Sequence, residues 1–422
     1  MNSPAGAVKV RDDEWRMPGR PGGFVGARIA LGVSGGIAAY KAADLASRLV
    51  RAGATVDVML TDGAARFIQP LTFEGLTGRT VYSDVFEGWG DGAAGHVSLA
   101  RDADVLVIAP ATANTIARLA HGFTDDMIGA VALATTATLV IAPAMEHHMW
   151  HHPATRENVR TVVERGATLI PPESGRLASG AVGDGRLASG DAIMGSLRGV
   201  LGRHGPLQGT RVVVSAGGTR EALDPVRYIG NRSSGRMGVA IAQAAVEAGA
   251  EVTIVATPGV LEPIHGMRIV HVESAIEMHH AIEEAVRDAD ALIMAAAVSD
   301  FRSRTQSTRK IKKQAYQELL TIQLVKNPDI VADVHAEGLI KIGFAAETHD
   351  LIDNARRKLV NKGLAMIVAN DAVATIGHDR STATLLFPER EPVMLPTLSK
   401  EELARRIVAE LILLMAGRAC DA

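Results

Sequence analysis

From Arg28 onward, short runs that are apolar throughout alternate with longer segments in which apolar residues recur every three or four positions. Continuous apolar runs suit strands covered on both faces, and the 3.6-residue period suits helices with one buried stripe. Arg28–Val33, Thr55–Leu60, Val105–Ala109 and Leu139–Ala142 predict the strands of a first domain, with a helix over Ile37–Arg51 ended near Gly53 and another over Asp191–Gly202. The pattern restarts after Arg203–Gly209 (RHGPLQG), which is polar and turn-rich. Strands are then predicted at Arg211–Ser215, Val252–Ala256, Arg268–Val272, Ala291–Ala296, Ile340–Phe344 and Ala365–Ala369, with an edge strand at Thr384–Phe387. Helices are predicted at Met237–Ala248, Ser274–Arg287, Asp350–Lys362 and Lys400–Met415. Repeated strand–helix units imply parallel sheets with helices on both faces, so the expectation is α/β, two doubly wound domains in tandem.

Two stretches break the pattern. Residues 1–27 are rich in Gly, Pro and charge and predict a mobile extension. Between Ser174 and Gly190 the period disappears, and the hexapeptide GRLASG occurs at Gly175–Gly180 and again at Gly185–Gly190. Composition alone leaves two readings of that stretch open, an active-site flap or a plain flexible loop. The expected organisation is therefore an extension over 1–27, a domain over 28–202, a linker over 203–209 and a domain over 210–422.

Composition narrows the function class. At 47% hydrophobic and 22% charged residues, with a net charge of −3, nothing favours nucleic acid or an anionic membrane as partner. The apolar runs are strand-length, far short of a membrane span. One cysteine, Cys420, excludes an internal disulfide and a multi-cysteine metal site. Arg11, Asp12, Asp13 and Glu14 occupy the place of a signal peptide's apolar core, so a cytoplasmic location is expected.

Chemistry concentrates at strand ends, where doubly wound sheets bind ligands. Ser34, Thr112-Ala113-Asn114 and Met145 all fall there in the first domain. In the second, the β-branched run Val212–Val214 stops at Gly217-Gly218, and Ser233-Ser234-Gly235 opens a helix. Strand, glycine turn and helix start suit an anion. Arg220, Asp224, Arg227, Asn231 and Arg236 crowd the connection, which is longer than a turn requires. Lys358 and Lys362 share a helix face, and Lys310, Lys312 and Lys313 form a basic stretch; solvated surface is the plain reading of both. No GxxxxGK[ST] is present, which disfavours a P-loop ATPase. In EHHMWHH (Glu146–His152), His147 and His151 have ligand spacing, but a histidine-rich exposed helix start is the simpler reading.

Several long motifs occur in register with one known family. VSAGGTREALDPVRYIGNRSSGRMG, AAAVSDF, KIKK, LVKNPDI and GFAAET resemble the phosphopantothenate–cysteine ligase half of the bifunctional coenzyme A biosynthesis proteins. GVSGGIAAYK, HVSLARDADVLVIAPATAN and APAM..HMW resemble the phosphopantothenoylcysteine decarboxylase half. The resemblance runs from about Arg28 to Met415 and implies a flavodoxin-like, Rossmann-like flavoprotein domain followed by a Rossmann-like ligase domain. It further implies that CTP activates 4′-phosphopantothenate as an acyl-cytidylate, from which cysteine displaces CMP. FMN-dependent decarboxylation of 4′-phosphopantothenoylcysteine to 4′-phosphopantetheine follows.

Positions carry over one by one. Asn231 matches the asparagine acting on the acyl-cytidylate, and Lys310 the essential lysine of KIKK. Ala296, Ala297, Asp300, Asn327, Pro328, Asp329, Ile330, Phe344, Lys358 and Lys362 match nucleotide-contacting positions. Mg²⁺ is implied by triphosphate chemistry, its ligands unassigned. In the first half, Ser34, Gly35, Gly36, Ile37, Thr112, Ala113 and Asn114 match FMN-contacting loops, and His96 matches the active-site histidine. Met145 lies in the substrate-binding PAMN motif, whose asparagine is here Glu146. The family's flap cysteine, a proton donor, falls at Ser179. A carboxylate at 146 must be protonated, turned away or compensated to sit beside a substrate carboxylate, and a hydroxyl is a far weaker acid than a thiol. The resemblance also implies a homo-oligomer, a trimer-based dodecamer with dimeric ligase contacts. Two rivals remain: a ligase whose first domain has lost efficient decarboxylation, and a non-catalytic flavin- or nucleotide-binding module.

Overall fold

The computed structural model describes residues 8–9, 23–86, 95–260, 266–312, 320–347, 350–371 and 380–421. The chain divides into two compact units, Pro21–Gly202 and Arg203–Ala422, the latter together with Met1–Arg20.

The first unit is built on a parallel sheet ordered Thr55–Leu60, Arg28–Val33, Val105–Ala111, Thr138–Pro143, Thr168–Leu169. Numbered along the chain this is 2-1-3-4-5, so the winding direction reverses between Arg28–Val33 and Val105–Ala111. Alternation along each strand divides the core. Ile29, Leu31, Val33, Val105 and Val107 pack on one face with Leu45 and Leu49 of the helix Tyr40–Arg51. Ala30, Leu106 and Ile108 face the other way, toward Ile116, Met127 and Ile128. Burial on both faces is the physical reason these strands are apolar throughout. The aperiodic stretch is ordered as an antiparallel hairpin, Glu173–Arg176 against Val182–Arg186. Backbone pairing holds it; its glycines hide the side-chain alternation that marks a strand.

The second unit carries a nine-stranded sheet. Its parallel part is ordered Arg268–His271, Glu251–Ala256, Arg211–Ala216, Ala291–Met294, Ile340–Glu347, Met366–Asp371. Numbered within the unit this is 3-2-1-4-5-6, with the reversal between Arg211–Ala216 and Ala291–Met294. Val212 and Val214 enter one core and Val213 the other. The sequence predicts an edge strand at Thr384–Phe387, and the strand observed there is Thr384–Leu386. It instead lies between Met366–Asp371 and Val393–Met394, antiparallel to both. The two-residue strand Val393–Met394 is too short to give a periodic signal. Of the 1–27 extension, Val8–Lys9 pair in parallel with Val393–Met394, and residues 1–7 and 10–22 lie outside the described residues.

Candidate active sites

In the first unit, a cavity of about 1530 Å³ opens at the carboxyl ends of the strands, at the reversal point. Its walls include Gly35, Gly36 and Ile37 after the first strand and Thr112, Ala113 and Asn114 after the third. Gly35 and Gly63 touch backbone to backbone: a Cβ on Gly35 would sit 2.6 Å from the carbonyl carbon of Gly63. Thr112 caps the helix Ala113–His121 by accepting the Thr115 N–H. Ser34 is fully buried and is absent from the cavity lining. Its hydroxyl donates to the Pro110 carbonyl at 2.7 Å and accepts the Thr112 N–H at 2.9 Å, tying the two loops together. Its side chain holds the two loops in place.

Apolar side chains stand exposed at the cavity, Ile37 and Tyr40 each at 60% with Phe86 and Met149 nearby in the wall. Cations line it as well: Lys41, Arg118, Arg176 and Arg186. Arg118 is neutralised by Asp125 and Asp126. Burial lowers the pKa of Lys41, the neighbouring Arg186 lowers it further, and Glu173 offsets part of this. Two like charges lining one cavity are stabilised by an anion between them. Sequence reasoning passed over Lys41 and Arg186; their signal, one cation inside a motif and one in the repeat, is weak without the cavity.

The hairpin brings Ser179 into the cavity wall, exposed at the turn beside Gly180, whose φ of 86° suits glycine. Met145 and Glu146 also line the cavity. Met145 N–H donates to the Gly185 carbonyl at 2.9 Å, and a Cβ on Gly185 would collide with the Met145 carbonyl oxygen at 2.2 Å. Glu146 caps the helix His147–His151, accepting the His148 N–H at 2.7 Å and lying 3.1 Å from His148 Nδ1. Partial burial pushes the Glu146 pKa up, but the backbone and imidazole of His148 outweigh it, leaving the carboxyl below its ordinary value. Of the three options open to this carboxylate, the lowered pKa favours an ionised group held by the His148 contacts over a protonated one. His96, on Gly95–Asp102, is not among the cavity-lining residues, and its buried Nδ1 makes no hydrogen bond among the described residues.

In the second unit, the reversal point gathers four segments. Gly217 has a φ of 93°, and a Cβ there would lie 2.0 Å from Thr257 Oγ1. A Cβ on Gly238 would meet the Ser215 carbonyl oxygen at 2.7 Å, so glycine lets the helix Arg236–Glu247 start against the strand end. Its N-cap, Gly235, has no side chain to cap it, and the Ser233 hydroxyl accepts the Gly235 N–H at 3.3 Å. Its first-turn N–H groups and dipole suit an anion. Ala297 crosses beneath, donating to the Gly217 carbonyl at 2.8 Å and accepting from Thr219 at 3.2 Å. The Asn231 amide donates to the Val298 carbonyl at 3.0 Å and reaches the Ala297 carbonyl at 3.5 Å, joining the long loop to the Ala296–Ala297 turn.

Asp224 brings Lys310 into the same assembly. Its side chain has no solvent exposure and accepts the N–H groups of Val226, Arg227 and Ile311, at 2.7, 2.8 and 3.1 Å. Arg227 returns a hydrogen bond to the Ile311 carbonyl at 2.7 Å. Burial pushes the Asp224 pKa up, but the backbone donors and Arg227 hold it below the ordinary range. Lys310 and Asp300 are exposed; Lys313 lies outside the described residues.

The remaining nucleotide-contact positions divide by burial. Asn327 is buried, donating to the Ser299 carbonyl at 2.8 Å and accepting from Arg302 at 3.0 Å, so its side chain braces the loop. Ile330 is core, and Phe344 packs partly against core. Pro328 is half-buried. Asp329 caps Ile330–Asp333 and pairs with Lys362 at 3.0 Å, while Lys358 is exposed on Leu351–Asn361.

Comparison with known proteins agrees with this division. Residues 24–202 match the flavoprotein family, and residues 207–414 match the DNA/pantothenate metabolism flavoprotein C-terminal domain. The chain is 44% identical over 390 residues to a coenzyme A biosynthesis bifunctional protein of Vibrio cholerae, covering 91% of this chain and 98% of the relative. A counterpart from Bacillus subtilis is 41% identical over 391 residues, covering 91% and 96%. A crystal structure of the C-terminal domain of such a protein is 36% identical and covers 50% of this chain and 98% of its own, at a TM-score of 0.43.

Proposed function

Because the chain belongs to the family of coenzyme A biosynthesis bifunctional proteins, we propose that it makes 4′-phosphopantetheine from 4′-phosphopantothenate and cysteine in two steps. Membership makes it a bifunctional enzyme, a ligase domain joined to a flavoprotein decarboxylase domain, and sets the non-catalytic reading aside. In the proposed scheme the second domain uses CTP to form the amide and the first uses FMN to remove the cysteinyl carboxylate. The observation that supports this most is convergence: Gly35, Gly36, Ile37, Thr112, Ala113 and Asn114 in the first half, and Gly217, Gly238, Ala297 and Asn231 in the second, gather at the reversal point of their own sheet.

For ligation, the glycine-initiated start of Arg236–Glu247 would hold the CTP phosphates, with Lys310 stabilising charge as pyrophosphate and then CMP leave. Mg²⁺ would enter with the triphosphate, since it keeps waters and needs few protein ligands. Asn231, fixed on the Val298 carbonyl, would present the rest of its amide to the acyl-cytidylate.

For decarboxylation, the cavity fits a flavin: glycine-lined, with exposed apolar side chains for a planar ring and Lys41 with Arg186 for anionic groups. FMN, when bound there, supplies the two-electron chemistry that labilises the carboxylate. The chain's own part is to hold the substrate under the hairpin and offer the Ser179 hydroxyl at its tip. Glu146 stays ionised through its His148 contacts and keeps the helix at Met145 in place. A homo-oligomer is supported by exposed Phe67, Leu71, Phe123 and Leu133.

Purified protein given 4′-phosphopantothenate, cysteine and CTP should release CMP in a cysteine-dependent manner. Given 4′-phosphopantothenoylcysteine, it should release CO₂ and 4′-phosphopantetheine. No CMP from folded protein would refute the ligase reading, and no CO₂ from flavin-loaded protein the decarboxylase reading.

A further inference from the structure

We propose that His147, His151 and Asp184 form a binding site for a divalent transition-metal ion of the zinc type, at the base of the hairpin. The two histidines are one turn apart on His147–His151, and Asp184 comes from the strand Val182–Arg186. One ligand atom from each lies within 4.8 Å of the others. His151 Nε2 and Asp184 Oδ2 are already 3.2 Å apart, close to the ~3.3 Å edge that two ligands at ~2.0–2.1 Å from one tetrahedral zinc ion would make.

The surroundings prepare these groups. Ser174 Oγ donates to Asp184 Oδ1, which turns the other carboxylate oxygen toward the histidines. Such outer hydrogen bonds orient metal ligands. His147 Nδ1 accepts the Asp184 N–H at 3.1 Å, so that nitrogen is unprotonated, as a ligand must be. A Cβ on Gly183 would stand 2.6 Å from the same atom, so glycine makes room for the imidazole. Two neutral imidazoles and one carboxylate leave a fourth position for water and suit zinc better than calcium or magnesium. Binding exchanges the His147 hydrogen bond and the proton at His151 Nε2 for metal bonds. The ion then links the helix beside Met145 and Glu146 to the hairpin that carries Ser179.

The test uses tag-free, full-length protein treated with chelator and titrated with Zn²⁺ against a chromophoric competitor. Wild type should bind at this site, and His151→Ala and Asp184→Asn should each lose that binding. Both residues are about half exposed, so both variants should fold. Ser174→Ala should weaken binding about 10- to 100-fold. His280→Ala, which breaks the cluster His279, His280 and Glu283 on another helix, should leave this site unchanged. Zn²⁺ should also slow proteolysis within 174–186 in wild type but not in His151→Ala. Absence of binding in wild type, or equal binding in both ligand variants, would overturn the proposal. Neither readout depends on catalysis, so the result stands apart from the functional reading.

Discussion

Asp224 shows how one side chain sets the distance between two others. Its buried carboxylate accepts from the loop that leads to Asn231 and from Ile311, the neighbour of Lys310. In Asp224→Asn, the amide would have to turn N–H groups toward backbone N–H groups, leaving buried donors unmatched. Ligase kcat should fall at least tenfold with CTP KM much less affected, and proteolysis near 307–312 should accelerate. An unchanged kcat would leave Asp224 with no positioning role. Because the folded pKa lies below the ordinary value of ~3.9, Asp224 remains ionised at neutral pH. Its stabilising contribution is present above the unfolded pKa and is lost as pH falls through the lower folded value. Lys41 works in the opposite direction. Its pKa lies below 10.5 and an anion nearby would raise it. Flavin affinity in wild type should therefore weaken as pH rises through the lowered Lys41 value, and Lys41→Met should bind flavin more weakly with that pH dependence removed. A Lys41→Met protein with the wild-type pH profile would dissociate Lys41 from the anion.

At the scale of elements, both sites depend on close backbone approach. Gly238 sits where a strand end meets a helix start, and an alanine methyl there would push Arg236–Glu247 off the strand. Gly238→Ala should cost about 1–3 kcal/mol of stability by overpacking and raise CTP KM, measured by denaturant unfolding and steady-state kinetics. The same helix packs on Lys400–Asp421, within which Glu410 is fully buried and pairs with Arg406 at 2.6 Å and Arg390 at 3.1 Å. Glu410→Ala strands two cations, one of them buried, and should cost about 3–5 kcal/mol, far more than an exposed pair would. A loss below ~1 kcal/mol would show that solvent reaches that cluster. The repeated hexapeptide makes a related point. Gly175-Arg176 and Gly185-Arg186 lie in opposite strands of the hairpin, but Leu177, Ala178, Ser179 and Gly180 make its turn, whereas Leu187 and Ala188 are buried and Ser189 starts a helix. Identical residues have two fates because their neighbours differ.

For the whole molecule, each unit has cores of its own, drawn from separate sheets. Ligands should therefore stabilise the units separately. At a hundredfold excess over its Kd, a ligand adds about 2.7 kcal/mol to the unit that binds it. In calorimetry, FMN should raise one transition and CTP the other. A single transition moved equally by both would show that the units unfold as one.

By itself the sequence determined the alternation of strands and helices, the two-domain division and the glycine turns, because burial on both sheet faces and positive backbone angles restrict residue choice locally. It also singled out Asn231, Lys310, Ser179 and the Gly35-Gly36 turn as candidates through motif. The hairpin was not legible, since its pairing is between backbones and its residues are small. Nor was the lowered pKa of Glu146, which depends on a capping contact formed only when the helix forms. Tertiary structure alone decided that Ser34 ties two loops, that Asn327 braces another and that Asp224 holds Lys310's segment to Asn231's. Each depends on partners tens of residues away. Strand order was likewise decided there. Periodicity records which face of an element is buried, whereas neighbours in a sheet, and thus the reversal points where both candidate sites lie, are fixed by long-range pairing.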